Sequence, residues 1–299
     1  MTHATPHTTR SAARSAIRLV FIDVDGTLVG SSGTVHQAVW DAADRLRAAG
    51  VHLAVCTGRP GFGITRALAT RLDGDAWHVF QNGASIAHLG NGGSRSAGLS
   101  DETVAALLAQ ARATGRALEL YSDDGYAVLA GRAEAVERAQ RHASLIGEPY
   151  QPVDADAFAR TPGRVIVRGQ WMLAHDELDA VLADPAPRAR LVPSLSPLMP
   201  ETTFVSVLDP QIDKVVGVRT VAEAYGVPLS AVMFAGDGGN DAAAMTAVGE
   251  AGGWPVAPAN AEPEALERAH DVFAHVDDGG LADALARALA THGNSHGDR

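Results

Sequence analysis

Two aspartates at alternate positions, Asp23 and Asp25, close an apolar run in FIDVDGTLVG, residues 21–30. Far along the chain FAGDGGNDAAAM, residues 234–245, repeats the pattern with Asp237, then Asn240 and Asp241. Acids delivered at the ends of buried strands gather along the carboxyl edge of a parallel sheet, where open α/β folds place reactive groups. Brought together, such carboxylates repel one another unless a cation sits among them. An all-oxygen set with open positions suits Mg²⁺, which keeps waters and accepts phosphate oxygens. Each segment also has a plain structural reading. Asp-Gly is a common turn, repeated at Asp73-Gly74, Asp124-Gly125 and Asp278-Gly279, and Asp241 fits a helix N-cap.

Two more features bear on the same chemistry. VCTGRP, residues 55–60, ends a strand in Thr57 and Gly58, a hydroxyl and backbone N–H groups at the start of a helix, which suits an anion. DPQIDKVVG, residues 209–217, holds Lys214, the only lysine among 24 Lys and Arg residues. Codon bias explains scarcity, but a compact ammonium with three rotatable donors also fits a crowded site that arginine's planar fork would not.

The elements around these residues follow a strand–helix rhythm. RLVFID, VHLAVCTG and WHVFQNG read as short buried strands, separated by helices in VHQAVWDAADRLRAAG and ITRALATRL. The C-terminal part alternates likewise: helix VVGVRTVAEAYG, strand AVMFAG, helix NDAAAMTAVG, strand GWPVA, helix PEALERAH, strand DVFAH and helix GLADALARALATH. Both ends therefore build one parallel sheet. The middle differs. A helix in DETVAALLAQARATG precedes a hairpin in LELYSDDGYAVLAG turning at Asp124-Gly125. A helix in RAEAVERAQRHASLIG, a strand in RVIVRG, a helix in HDELDAVLAD and a strand in TTFVSVLD follow. The expected architecture is α/β, a Rossmann-like parallel-sheet core of residues 17–85 and 208–291 with an inserted α+β cap of residues 86–207. Residues 1–16 and 292–299 read as disordered tails.

Composition bounds the function. A hydrophobic fraction of 46% with 20% charged residues belongs to a globular chain with a core, and a formal charge of −11 argues against nucleic-acid or anionic-membrane binding. Cys56 is the only cysteine, which excludes an internal disulfide and points to a reducing cytoplasm. The 12 histidines are scattered and give no transition-metal cluster.

DVDGTL, CTGRP, the lysine of DPQIDK and GDGGND, in this order, resemble the four motifs of the haloacid dehalogenase superfamily of phosphotransferases. The chain is most similar there to the Cof-type phosphatases with a large α+β cap. QNGA at 81–84 and the stretch from PANAEPEALERAHD onward match as well, whereas Val215 stands where that family usually has glycine. The resemblance implies Asp23 as nucleophile forming an aspartyl-phosphate and Asp25 as acid and then base. It implies Mg²⁺ held by Asp23, the Asp25 carbonyl, Asp237 and Asp241. Thr57, Gly58, Lys214 and Asn240 would hold the phosphoryl group, with the Gly26 amide assisting. The substrate would be a small phosphorylated metabolite, a sugar phosphate by default, with no obligate protein partner.

A phosphosugar mutase of the same superfamily is the nearest alternative, though mutases usually carry a longer loop within the fourth motif. A catalytically inactive binding protein is another, and it would be expected to have lost Asp23 or Asp25. Substrate choice would come from the cap, where Tyr121, Asp123, Arg164 and Arg168 are the candidates, with Asp124, Tyr126, Trp171 and His175 behind them.

Overall fold

The computed structural model describes residues 15–150, 154–196 and 198–293. Most of the two expected tails therefore lies outside the described residues. The C-terminal helix runs through Gly293, past the expected start of the second tail.

The N-terminal half supplies β1 (Leu19–Ile22), α1 (Gln37–Ala48), β2 (His52–Val55), α2 (Gly63–Asp73), β3 (Trp77–Phe80) and β4 (Ser85–His88). The middle supplies α3 (Asp101–Thr114), β5 (Ala117–Tyr121), β6 (Tyr126–Leu129), α4 (Ala133–Ile146), α5 (Ala155–Ala159), β7 (Arg168–Leu173), α6 (Leu178–Ala183), β8 (Arg190–Ser196) and β9 (Met199–Leu208). The remainder supplies α7 (Lys214–Ala224), β10 (Val232–Ala235), α8 (Gly239–Glu250), β11 (Trp254–Pro258), α9 (Pro263–Arg268), β12 (Asp271–Phe273) and α10 (Leu281–Gly293).

The core sheet is parallel throughout, in the order β12-β11-β10-β1-β2. All four residues of β1 are buried because helices cover both faces, as parallel strands require. Val20 and Ile22 pack into one layer with α1, α2 and α10, while Leu19 and Phe21 pack into the other with α7, α8 and α9. The central pair β1 and β10 comes from opposite ends of the chain, with Ile22 opposite Ala235. That pairing sets the two acidic segments side by side.

β3 departs from the sequence expectation. It forms an antiparallel hairpin with β4 and touches β2 through a single parallel bridge, Cys56 to Val79.

The inserted cap is a five-stranded antiparallel sheet, β6-β5-β7-β9-β8. Leu118, Leu120, Trp171, Leu173, Val205 and Val207 face a core shared with α3, α5 and α6. Ala117, Met172 and Phe204 belong to the other face, under α4. Helix ends follow their sequence signals: Ser100 caps α3 by accepting from the Thr103 amide at 3.1 Å, and α3 and α4 stop at left-handed Gly115 and Gly147.

Three cap details differ from the sequence reading. The strand expected over RVIVRG begins only at Arg168 and runs to Leu173, because Ile166 and Val167 are consumed by irregular bonds to Leu99 and Tyr121. The helix expected over HDELDAVLAD starts as a 3₁₀ turn at His175–Glu177 and becomes α6. β8 was not anticipated, since Pro193 and its serines break the strand pattern; proline is tolerated there because β8 is an edge strand.

Candidate active site

Asp23 is the first residue beyond β1, and its amide donates to the Ala235 carbonyl at 2.8 Å. Asp237 is the second residue beyond β10. The neighbouring strand β2 leads to Thr57, whose amide donates to Val79 O at 3.0 Å. Three strand ends thus meet at one edge of the sheet. Lys214 approaches from the first position of α7, where Asp213 caps the helix by accepting from the Val216 amide at 3.0 Å.

Lys214 is almost wholly buried, and its Nζ donates to Asp23 Oδ1 and to Asp241 Oδ1, both at 2.6 Å. Asp241 Oδ2 accepts from the amides of Asp237, at 3.2 Å, and Gly238, at 3.1 Å. Both Asp241 oxygens are therefore engaged, and the carboxylate shapes the GDGGND loop. Gly236 permits this, since a Cβ there would stand 2.6 Å from Asp241 Cγ. Asp237 Oδ1 accepts from Thr27 Oγ1 at 2.8 Å. Asp23 Oδ2 and Asp237 Oδ2 accept no hydrogen bond among the described residues and are open to a ligand.

Asp23, Asp237 and Asp241 offer carboxylate oxygens that all lie within 4.8 Å of one another. Burial pushes the Asp23 carboxyl well above its ordinary range, with Lys214 opposing and Asp241 adding to the rise. Burial likewise pushes Asp237 up to about 6, against the Thr27 hydrogen bond and with Asp241. Burial works against the charge of Lys214, but Asp23 and Asp241 outweigh it and hold the ammonium above its usual range. Three carboxylates against one ammonium form an under-neutralised cluster. Oxygen-only donors with two open oxygens fit a divalent cation.

The other expected site residues fall as follows. Asp25 is exposed, and Arg59 engages both of its oxygens, Nε at 2.8 Å and Nη2 at 2.5 Å. Thr57 Oγ1 accepts from the Arg59 amide at 3.1 Å, which leaves its own hydrogen free to donate. The Gly58 amide makes no hydrogen bond among the described residues. Asn240, in the first turn of α8, donates to Asn82 Oδ1 at 3.1 Å. The Gly26 amide is not available as a helper, because it donates to Val29 O at 2.9 Å.

Asp23, Asp25, Thr57, Gly58, Asp237 and Asn240 border a cavity of about 350 Å³ whose opposite wall is cap. Of the cap candidates, Tyr121 and Arg168 reach it. Arg168 lies 4.2 Å over the Tyr121 ring and donates to Gly58 O at 3.2 Å, tying cap to core. The rings of Phe62, Tyr121 and Tyr126 stack beside it, at 6.1 and 6.0 Å from Phe62.

The remaining cap candidates sit elsewhere. Asp123 accepts from the hydroxyls of Ser85 on β4 and of Ser94 and Ser96 in the segment after it. Arg164 lies over Phe158 and pairs with Asp124 at 3.5 Å, beside a separate groove within the cap. Trp171 is in the cap core, and His175 bonds Thr203 and Pro200.

Arg59, His142 and Gln170 line the cavity, and Glu119 is buried behind it; the sequence reading assigned none of them a role. Arg59 stood inside the quoted CTGRP. Glu119 and Gln170 are two residues from Tyr121 and Arg168 on the same strands, so period-two alternation was the available signal.

The model of the haloacid dehalogenase-like hydrolase family matches residues 20–285, and the chain belongs to that family. Its site is the active site of a hydrolase of this fold, with the aspartate cluster placed for phosphoryl transfer. A Streptococcus pyogenes protein provisionally named a phosphatase is 23% identical over 292 residues, covering 91% of this chain and 98% of the relative. Among solved structures, a haloacid dehalogenase-like hydrolase from Bacteroides thetaiotaomicron superposes with a TM-score of 0.75 at 21% identity, covering 91% of this chain and 99% of that one. A sugar phosphatase of superfamily subclass IIB gives a TM-score of 0.69 at 20% identity, covering 92% and 99%.

Proposed function

We propose that the protein is a Mg²⁺-dependent, Cof-type phosphatase that hydrolyses a small phosphorylated metabolite, with sugar phosphates as the first substrates to test. One observation carries this reading. Lys214 and the β1–β10 pairing fix Asp23 by Oδ1 and leave Oδ2 open to the cavity beside Thr57 and Asp237.

Asp23, Asp237, the Asp25 carbonyl and, at longer range, Asp241 would hold the ion, which when bound neutralises charge on the transferring phosphoryl group. Asp23 Oδ2 attacks phosphorus, and the bond to the leaving oxygen breaks as Asp25 gives that oxygen a proton. Asp25, now a carboxylate, then takes a proton from the water that attacks phosphorus, and Asp23 is released. Thr57 Oγ1, the Gly58 amide, Asn240 and the remaining hydrogen of Lys214 Nζ would donate to the phosphoryl oxygens. Arg59 occupies both oxygens of Asp25, so that contact opens before Asp25 reaches a substrate.

The compact GDGGND loop favours hydrolysis over a mutase reaction. The acidic chain and its single buried cysteine suit a cytoplasmic enzyme that binds neither nucleic acid nor membrane, and among the described residues no helix is long and apolar enough to cross a membrane.

Phosphate release from a panel of sugar phosphates, with Mg²⁺ and with chelator, tests the proposal. Asp23→Asn should fold and stop turnover. Release that persists in Asp23→Asn, or in excess chelator, would overturn it.

A further inference from the structure

The cap wall of the cavity is organised around one carboxylate that does not itself reach the surface. Glu119, on β5, is fully buried. Its Oε2 accepts from Tyr121 Oη at 2.5 Å and from Gln170 Nε2 at 3.0 Å, and its Oε1 accepts from His142 Nδ1 at 2.9 Å. These donors come from β5, β7 and α4. In the sheet Glu119 stands opposite Gln170, and Tyr121 opposite Arg168, so the group is one patch on one face.

An ionised carboxylate only accepts, so it dictates which end of each partner turns inward. Burial works against the charge of Glu119, but His142, Tyr121 and Arg168 outweigh it and hold the carboxyl below its ordinary range. The amide NH₂ of Gln170 therefore faces Glu119, and Gln170 Oε1 is the end left over. Likewise His142 spends its Nδ1 hydrogen on Glu119 and keeps Nε2. Neither Gln170 Oε1 nor His142 Nε2 makes another hydrogen bond among the described residues. Both side chains line the cavity that holds Asp23, Asp25 and Asp237.

We infer, resting on the phosphatase reading above, that Glu119 is a positioning residue that sets Gln170 and His142 as the hydrogen-bonding face for a hydroxyl of the leaving group. The ligand class follows from the two exposed atoms. Gln170 Oε1 can only accept, so it needs a donor, and a hydroxyl also satisfies His142 Nε2 in either of its roles. An apolar leaving group would strip water from Gln170 Oε1 and return nothing, a discrimination of about tenfold to a hundredfold.

Steady-state kinetics with Mg²⁺ on a panel of hexose 6-phosphates and on cyclohexylmethyl phosphate, a similar ring without hydroxyls, test this. The expected result is a kcat/KM at least about tenfold higher for a hexose 6-phosphate than for the cyclohexyl compound. Glu119→Gln and Gln170→Leu should each shrink that ratio about tenfold, through KM of the sugar more than through kcat. Thermal unfolding checks that each variant is folded, and if Glu119→Gln does not fold, Gln170→Leu decides alone. A wild-type enzyme that hydrolyses both compounds equally well, or folded variants that keep the ratio or lower both substrates alike, would overturn the inference and leave the phosphatase reading standing. Wild-type protein that releases phosphate from neither class removes that reading, and this one with it.

Discussion

Lys214 Nζ stands 2.6 Å from Asp23 Oδ1 although the two residues are 191 positions apart. The same ammonium holds Asp241 Oδ1 at 2.6 Å, so one buried cation bridges the expected nucleophile and the acidic loop after β10. A guanidinium is wider than an ammonium and projects its donors in a fixed plane. Lys214→Arg should therefore displace Asp23 and lower kcat by roughly a hundredfold or more. Lys214→Met should do the same and also leave two buried carboxylates unpaired, costing about 3 kcal/mol of stability. Phosphate-release assays and urea unfolding check both. Near-normal turnover by Lys214→Arg would show that the lone lysine is not required as such.

Asp237 and Asp241 should differ as partners of the metal. Asp237 keeps one oxygen open, whereas both oxygens of Asp241 are taken by Lys214 and by two backbone amides. Asp241→Asn should raise the Mg²⁺ concentration for half-maximal activity by about 10- to 100-fold, the range for residues that support a ligand from behind. Asp237→Asn should raise it further. Mg²⁺ titrations of the two variants side by side decide the order, and the reverse order would make Asp241 the principal ligand.

How much of this was legible depended on how locally each feature is encoded. Asp23 and Asp237 could be placed at strand ends because FIDVDG and FAGDGGND carry strand, turn and acid within a few residues. Their meeting followed from the parallel-sheet rhythm of both ends of the chain. The polar wall of the cap was not legible. The apolar trio Val165, Ile166 and Val167 drew the expected strand to residues 164–169, so it ended one residue before Gln170, whereas β7 runs from Arg168 to Leu173. Over that span Arg168 and Gln170 face one way and Trp171 the other. Glu119 reads as an ordinary polar position in LELY. It is buried because His142 and Gln170, 23 and 51 residues away, come to it.

His78 should make the protein less stable in acid. It is buried on β3, where Nδ1 accepts from the Val55 amide at 3.1 Å and Nε2 donates to Asp73 O at 2.8 Å. Burial lowers its pKa from the ordinary histidine value of 6.5 to about 4, with the Asp73 carbonyl opposing. Between those values the unfolded chain binds the proton and the folded chain does not. Its contribution is thus intact above pH 6.5 and is lost as the pH falls toward 4, by up to about 3 kcal/mol. His78→Gln, which can keep one donor and one acceptor without titrating, should flatten this part of the profile. Urea unfolding of both proteins at pH 7.0 and about 4.5 isolates the difference, since other titrating groups are shared. Parallel profiles would assign the acid sensitivity elsewhere.

Gly26 should tolerate no side chain, for two reasons that act together. Its φ is +79°, a backbone region that L-residues other than glycine rarely enter. A Cβ there would also lie 2.2 Å from Asp237 Oδ2, the open oxygen of the cluster. The strain costs about 1–2 kcal/mol, which a chain with cores on both faces of its sheet can absorb. The displacement of Asp237 cannot be absorbed, because a shift of about 1 Å at a reacting centre lowers turnover by roughly a hundredfold. Gly26→Ala should therefore stay folded, with a melting temperature a few degrees lower, while activity falls about a hundredfold and the Mg²⁺ requirement rises. Gly33→Ala is the control: φ is +71° there, and nothing lies within 4 Å of the added Cβ. If the two variants lose the same small amount of stability but keep equal activity, Asp237 Oδ2 is not where the metal binds.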